Sequence, residues 1–401
     1  MLEELRSNPE VLGVTLNYKT RAFSTPNDKY YSNLWGIKAI NAESVWDEGY
    51  TGSQNIYVAV LDTGISYTHE DLAANFESHT YSKNFATTST TYSDSKGHGS
   101  HVAGTIAGVG NNGIGVAGVN WQAKLISLKV LGDDGKGSFS WTVNALNYLC
   151  EILDDHPEIN LASINLSLGG YINTTPQSIK NNPIWAAFKA FSDKNKAVIC
   201  VAAGNENVKV GEYDSTEGGY AYPASFIGID NMIVVAAADN NSSYSRSSFS
   251  NYSTEYVDVA APGRSIYSTI PNNSYANYSG TSMATPFVTA VAAMIYLESP
   301  ATIAETKSFI LDSADAISSL SDYVASGRRL NAFEALRSAM GYLMGDVDFD
   351  ENVTAADARL IDRCADGLET FTSAQLVLAD MDKDGYVTLD DALIALVLAA
   401  G

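Results

Sequence analysis

Three short segments, far apart in the chain but in one order, constrain this sequence more than any other feature. Val60-Leu61-Asp62-Thr63-Gly64 supplies an acid, Gly97-His98-Gly99-Ser100-His101 a base, and Gly280-Thr281-Ser282-Met283-Ala284-Thr285-Pro286 a hydroxyl. A serine hydroxyl holds its proton too tightly to attack a carbonyl near neutral pH, so an adjacent imidazole must take it. A carboxylate behind the imidazole fixes its tautomer and stabilises its charged form. Asp, His, Ser is one of three chain orders in which that constellation occurs.

The surroundings suit these roles. Residues 56–61 form an apolar run that reads as a buried parallel strand. Asp62 then lies at its carboxyl end, where open α/β sheets carry their sites. The small-residue segment that follows His98 reads as a helix packed close to the sheet. Ser282 opens a helical run at 282–297, with Pro286 expected in the first turn, where a missing N–H costs little. The helix dipole and the Ser282 N–H would favour an oxyanion there, and Asn205, after a buried strand, offers a second donor. Strands at 56–61, 125–130, 162–166, 197–202 and 232–237 alternate with helices near 98–108, 139–153, 182–194 and 282–297. That alternation predicts an α/β fold, a parallel sheet with helices on both faces. Residues 240–253, rich in Ser and Asn, read as a surface loop. His101 and His69 read as structural, His69 in an exposed loop.

From about Pro26 to Met340 the chain resembles the subtilisin-type serine proteases. The resemblance implies that Asp62, His98 and Ser282 form the triad and that Asn205 is the oxyanion side chain. It also implies two segments that pair with an extended peptide, Gly135-Lys136-Gly137 and Ser167-Leu168-Gly169. Phe139 would line an apolar subsite. Ala221 and residues 202–204 would line the pocket for the residue before the scissile bond, with Glu206 at its rim. Without a buried acid there, broad preference for apolar or large side chains is expected. Two departures stand beyond the nucleophile: Phe287 in place of a histidine, and Thr289-Ala290 in place of Ala-Gly. Calcium takes six to eight oxygens, several of them backbone carbonyls. The resemblance implies such a site from Asp28, Asp71, Val109, Asn112, Ile114 and Val116.

The last segment has its own period. Asp346, Asp348, Asp350, the Asn352 carbonyl, Thr354 and Asp357 occupy positions 1, 3, 5, 7, 9 and 12 of a calcium-type loop. Asp380, Asp382, Asp384, the Tyr386 carbonyl, Thr388 and Asp391 repeat it 34 residues on. Each loop is followed by a helix, at 355–366 and 390–399, and no helix of useful length precedes the first. This duplicated loop-helix pattern resembles a dockerin, a small all-α module that fixes enzymes to cohesin-bearing scaffolds. Glu351 replaces the usual loop glycine in the first repeat. The expected contact positions read Ala355-Ala356 and Asp362-Arg363 in one repeat but Leu389-Asp390 and Leu396-Val397 in the other. One dominant binding orientation follows from that asymmetry.

The expected domains are therefore a propeptide remnant at 1–25, a peptidase domain at 26–342 and a dockerin at 343–401. Self-cleavage is expected between about Tyr18 and Asn27. No stretch reads as a signal peptide, and no apolar run reaches the ~20 residues that span a bilayer. A formal charge of −22 argues against nucleic acid and anionic membranes as partners. Three cysteines, in a helix, a buried strand and the tail, argue for free packed thiols. The reading is a secreted, calcium-stabilised endopeptidase, extracellular on a scaffold or cell surface, acting on proteins or peptides, with a monomeric catalytic domain. Its rivals are a catalytically inactive, protease-shaped binding module, for which Phe287 speaks, and a processing protease of narrow specificity.

Overall fold

The computed structural model describes residues 25–400, apart from 78, 88, 342, 351, 372, 383 and 384. The propeptide-like segment and most of the expected self-cleavage stretch lie outside the described residues, as do Asp384 and Glu351.

Thirteen strands are described: β1 (Gly52–Asp62), β2 (Lys83–Asn84), β3 (Gln122–Lys129), β4 (Leu161–Leu166), β5 (Gly170–Ile172), β6 (Val198–Ala202), β7 (Tyr220–Tyr222), β8 (Met232–Ala238), β9 (Val259–Pro262), β10 (Ile266–Ile270), β11 (Ser274–Tyr278), β12 (Asp315–Ala316) and β13 (Arg328–Arg329). Nine form one sheet in the order β12-β13-β9-β8-β6-β4-β1-β3-β2. Every pairing in it is parallel except β12 with β13. β5 pairs with β7, and β10 with β11, as separate antiparallel ribbons.

Among the described residues the α-helices are α1 (Trp35–Ala39), α2 (Ala42–Asp47), α3 (His98–Ala107), α4 (Phe139–Asp155), α5 (Pro183–Asp193), α6 (Thr281–Glu298), α7 (Ile303–Asp312), α8 (Ala332–Met340), α9 (Ala355–Ala365), α10 (Ser373–Ala379) and α11 (Leu389–Ala399). A parallel sheet must be covered on both faces, and the strands show how. In β1, Val58 and Val60 enter one buried cluster with Val102 of α3 and Val291 of α6, while Ala59 and Leu61 enter another with Leu149 of α4 and Phe188 of α5. Alternation along a strand thus feeds two cores.

Three expectations need correction, and one helix was not expected. α6 begins at Thr281, so Pro286 lies in its second turn, inside the helix. His69 is buried, its Nε2 3.1 Å from the Ser274 carbonyl. The segment at 240–253 is not surface throughout: Ser247, Ser250 and Asn251 are fully buried, Ser247 donating to the Asp239 carboxylate and Ser250 and Asn251 bonding backbone groups. In the tail, α10 runs directly into the second loop, a helix that the short apolar run at 373–379 did not signal. The tail packs on the body: α10 lies against α2, and Val347, Ile361, Phe371 and Leu378 share a buried cluster with Val45 and Trp46. The three cysteines are free.

Candidate active site

Asp62, the last residue of β1, is wholly buried. Its two oxygens lie 2.8 and 2.9 Å from Nδ1 of His98, and Oδ1 also accepts from Thr63 N at 2.6 Å. His98 opens α3, and its side chain keeps 27% exposure toward a long cleft. Burial alone would lower the pKa of this imidazole, but the Asp62 carboxylate outweighs it and holds the group above its ordinary value. With Nδ1 engaged by the carboxylate, the neutral ring presents its Nε2 lone pair to the cleft.

Ser282 is the second residue of α6 and lines the same cleft. Its hydroxyl donates to the Ser167 carbonyl at 3.2 Å, and Ser167 Oγ donates to the Ser282 carbonyl at 2.8 Å. That second bond exists because Pro286 has no N–H to offer the carbonyl four residues before it. Asn205 follows β6. Its Oδ1 accepts from Thr281 N at 2.8 Å and Thr281 Oγ1 at 3.2 Å, which leaves Nδ2 as the amide's donor end. Gly204 before it has φ +106° and would drive a Cβ to 2.2 Å from Asn251 Nδ2, so the turn needs glycine.

Gly135, Lys136 and Gly137 line the cleft on one side; Ser167, Leu168 and Gly169 line it on another. Residues 202–204, Ala221 and Glu206 also line it. Phe139, at the start of α4, stands behind Gly170 instead, its ring end 3.3 Å from where a Cβ on that glycine would sit. Phe287 is buried and aims at α1, where a Cβ on Gly36 would meet its ring at 2.5 Å.

Glu206, expected at the pocket rim, ties its neighbours together, and several other residues at the site carry no sequence signal of their own. Glu206 Oε2 accepts from Asn205 N (2.8 Å), Asn251 Nδ2 (2.9 Å) and Tyr171 OH (2.9 Å). Glu217, from a turn that β7 follows, joins Glu206 and Asp134 as a carboxylate in the cleft lining. Asn165 joins Thr289 to Ser167, accepting from Thr289 Oγ1 and donating to Ser167 Oγ, both at 2.9 Å. Asp94 stands four residues before His98; that spacing, ahead of a helix, was the one available hint.

Around Asp71, the loop at 108–116 turns its donors inward: Asn112 Nδ2 at 2.8 Å and Val116 N at 2.7 Å. Val109 N binds the Asp71 carbonyl at 2.9 Å, and Asn112 Oδ1 accepts from Ile114 N at 2.7 Å. Burial raises Asp71 to about 7, with the neighbouring charges of Asp28 and Glu70 adding to it, and burial also raises Asp28. Asp28 Oδ1 is buried without a partner. Two close acids and an orphaned oxygen are a donor set suited to a hard cation.

In the tail, carboxylate oxygens of Asp346, Asp348 and Asp350 lie within 4.8 Å of one another, as do those of Asp380, Asp382 and Asp391. Asp348 is raised to about 6 by burial and the surrounding aspartates, and its Oδ1 is also orphaned. Asp357 and Asp391 hold their loops together: each accepts from two backbone N–H groups at the loop start and caps the following helix.

The Subtilase family profile matches residues 53–342. The chain belongs to the subtilase family. A second profile, the Dockerin type I domain, matches residues 344–395. Subtilisin E of Bacillus subtilis (strain 168) is 38% identical over 303 residues, covering 75% of this chain and 68% of the relative. Thermitase of Thermoactinomyces vulgaris is 35% identical over 317 residues, covering 78% and 99%. Among solved structures, a protease from Pseudoalteromonas arctica PAMC 21717 superposes with TM-score 0.63 at 27% identity, covering 79% of this chain and 100% of that one. This subtilase is a serine endopeptidase that carries a dockerin domain.

Proposed function

We propose that this subtilase cleaves peptide bonds with Ser282 as nucleophile, His98 as base and Asp62 as the group that orients it. The observation that carries the reading is the buried Asp62 carboxylate 2.8 Å from His98 Nδ1, at a cleft that Ser282 shares. In the resting arrangement the Ser282 proton points to the Ser167 carbonyl. A rotation about its Cα–Cβ bond presents that proton to His98 Nε2 as Oγ attacks. The Ser282 N–H and Asn205 Nδ2 then face the oxyanion, and His98 returns the proton to the leaving amine. Loss of the Asn205 donor costs about 2.7–4 kcal/mol of transition-state stabilisation. Substrates lie extended between residues 135–137 and 167–169, where glycines allow backbone pairing. Phe287 packs on α1, so the departure that spoke for an inactive module leaves the catalytic groups untouched.

Calcium fits the donor sets. Asp28, Asp71 and Asn112, with carbonyls of Val109, Ile114 and Val116, would hold one ion, and the two tail loops would hold two more. When bound, calcium supplies structural cross-linking rather than chemistry at Ser282. The dockerin docks on a cohesin of an extracellular scaffold, which places the enzyme outside the cell. The test is hydrolysis of a mixed peptide library by wild type and Ser282→Ala, each with and without calcium. Cleavage that disappears with Ser282 supports the reading. Absence of cleavage by folded wild-type protein freed of its leading segment overturns it.

A further inference from the structure

Behind the Asp62–His98 pair lies a second buried carboxylate that accepts five hydrogen bonds. Asp94 is 4% exposed. Its Oδ1 accepts from Thr63 Oγ1, Lys96 N and Gly97 N, each at 2.9 Å. Its Oδ2 accepts from Ser100 N at 2.9 Å and Ser100 Oγ at 2.7 Å. Thr63 in turn accepts from Gly99 N on Oγ1 at 2.9 Å and from the buried Lys129 Nζ on its carbonyl at 2.5 Å. Ser100 Oγ also accepts from Ser66 N at 3.0 Å.

These bonds sort into one device. The first turn of α3 has backbone N–H groups with no partner inside the helix, and its N-cap, Gly97, has no side chain to serve them. Asp94 takes the Ser100 N–H, and Thr63 takes the Gly99 N–H. Thr63 is the residue next to Asp62. The strand end that carries the acid and the helix start that carries the base are therefore bolted to one carboxylate. The fit is close: a Cβ on Gly99 would stand 2.1 Å from the Gly64 carbonyl and 3.1 Å from Asp62 Cβ.

We propose that Asp94 is a positioning residue for catalysis, holding the Asp62–His98 pair in register through Thr63 and Ser100. The inference rests on the triad reading above. Misplacement of a catalytic group by about 1 Å costs on the order of 100-fold in rate, so Asp94 acts on turnover more than on substrate binding. Its charge also reaches His98, which is faced by Asp62 from β1, by Asp94 and Lys96 from the loop before α3, and by His101 one turn on, with Lys129 beyond Thr63.

The experiment compares wild type, Asp94→Asn, Thr63→Val, Thr63→Ser and Ser282→Ala by kcat, KM, pH profile and thermal melting. Asp94→Asn keeps the shape but turns N–H groups toward backbone donors. The expected result is a fall in kcat of about 10- to 100-fold with little change in KM, and an acid limb moved to lower pH. Thr63→Val falls alike, Thr63→Ser retains most of the rate, and Asp94→Asn combined with Thr63→Val is less than additive. Asp94→Asn with full kcat and an unmoved acid limb, lower melting temperature or not, overturns the proposal. So does Thr63→Val that turns over like wild type, even if Asp94→Asn fails to fold. Activity that survives Ser282→Ala sinks the triad reading instead, so the two failures are told apart.

Discussion

Ser167 and Ser282 are joined twice, each hydroxyl donating to the other's backbone carbonyl, at 3.2 Å for Ser282 Oγ and 2.8 Å for Ser167 Oγ. The pair couples the floor of the cleft to the helix of the proposed nucleophile. It is possible because Pro286 sits inside α6 and leaves the Ser282 carbonyl free of its usual helical partner. Asn165 and Thr289 extend the chain of bonds behind Ser167.

Ser167→Ala should therefore destabilise the fold by about 1–3 kcal/mol, the cost of stranding a buried acceptor. In a Pro286→Ala background the restored N–H at 286 takes the Ser282 carbonyl, and the same change should cost markedly less. Urea unfolding of the four proteins closes the cycle. Additive losses would refute the link between the proline and the serine pair.

The pH dependence follows from His98. Its pKa is raised, with the Asp62 carboxylate outweighing burial, and it must be neutral to accept a proton. The rate should rise with pH along an acid limb centred above the ordinary imidazole value of about 6.5. For stability the sign is opposite: the Asp62–His98 contribution is complete below about 6.5 and is lost as pH rises through the folded pKa. Asp62→Asn should cut kcat by about 10,000-fold, since the tautomer is then wrong. An acid limb below pH 6.5 in wild type would contradict the assignment.

The parallel sheet, its helices and the order of the catalytic candidates were legible because each rests on a local signal. The apolar run before Asp62 and the glycines around His98 announce themselves in the chain. Asn165, Tyr171 and Asn251 were not legible, because they act through partners 35 to 124 residues away; Asp94 showed only its spacing ahead of a helix, and its link to Thr63 spans 31 residues. Pro286 misled for a related reason. A proline near a helix start reads as a first-turn residue, and only the Ser167 hydroxyl, 115 residues away, makes a later position affordable. The segment at 240–253 looked like solvent-facing loop because seven of its fourteen residues are serine; in the fold Ser250, Ser253 and Asn251 satisfy backbone groups and Ser247 binds Asp239.

Calcium removal should be felt through Asp71 and Asp28. In metal-free protein Asp71 is raised by burial to about 7, so its contribution to stability is fullest below its ordinary 3.8 and is lost as pH rises through 7. A bound cation reverses this by favouring the charged carboxylates. The gain in melting temperature on adding calcium to calcium-free protein should thus be larger at pH 7.5 than at pH 5. Asp71→Asn should reduce that difference. An equal gain at both pH values would count against a site at Asp71.

Glu206 and Glu217 bear on specificity, since both line the cleft near Ala221 and Tyr171. They should add tolerance for basic side chains to the apolar preference expected from the sequence. Both are exposed, where a charge pair contributes roughly 0.2–1 kcal/mol. Glu217→Gln should lower kcat/KM for peptides with Lys or Arg before the scissile bond by about 1.4- to 5-fold, leaving Leu and Phe peptides unchanged. Parallel changes in all four would show that Glu217 does not face that side chain.

The two dockerin repeats differ where a partner would sit. On α11, Leu389 (57% exposed), Leu393 (50%), Leu396 (45%) and Val397 (73%) form an open apolar face. The matching side of α9 carries exposed Ala355, Ala356 and Arg359, and Arg363 there pairs with Glu369 at 3.4 Å. Fully burying a Leu or Val side chain contributes about 1.5–3 kcal/mol, so the open face of the second repeat has the most to gain from a partner. A cohesin should therefore seat on the second repeat. Val397→Asp should weaken binding at least ~30-fold by calorimetry, while Ala356→Asp and Arg363→Ala change it less than ~3-fold. Equal losses from both repeats would mean that the module binds in two orientations, and that the chemical asymmetry of its helices does not choose between them.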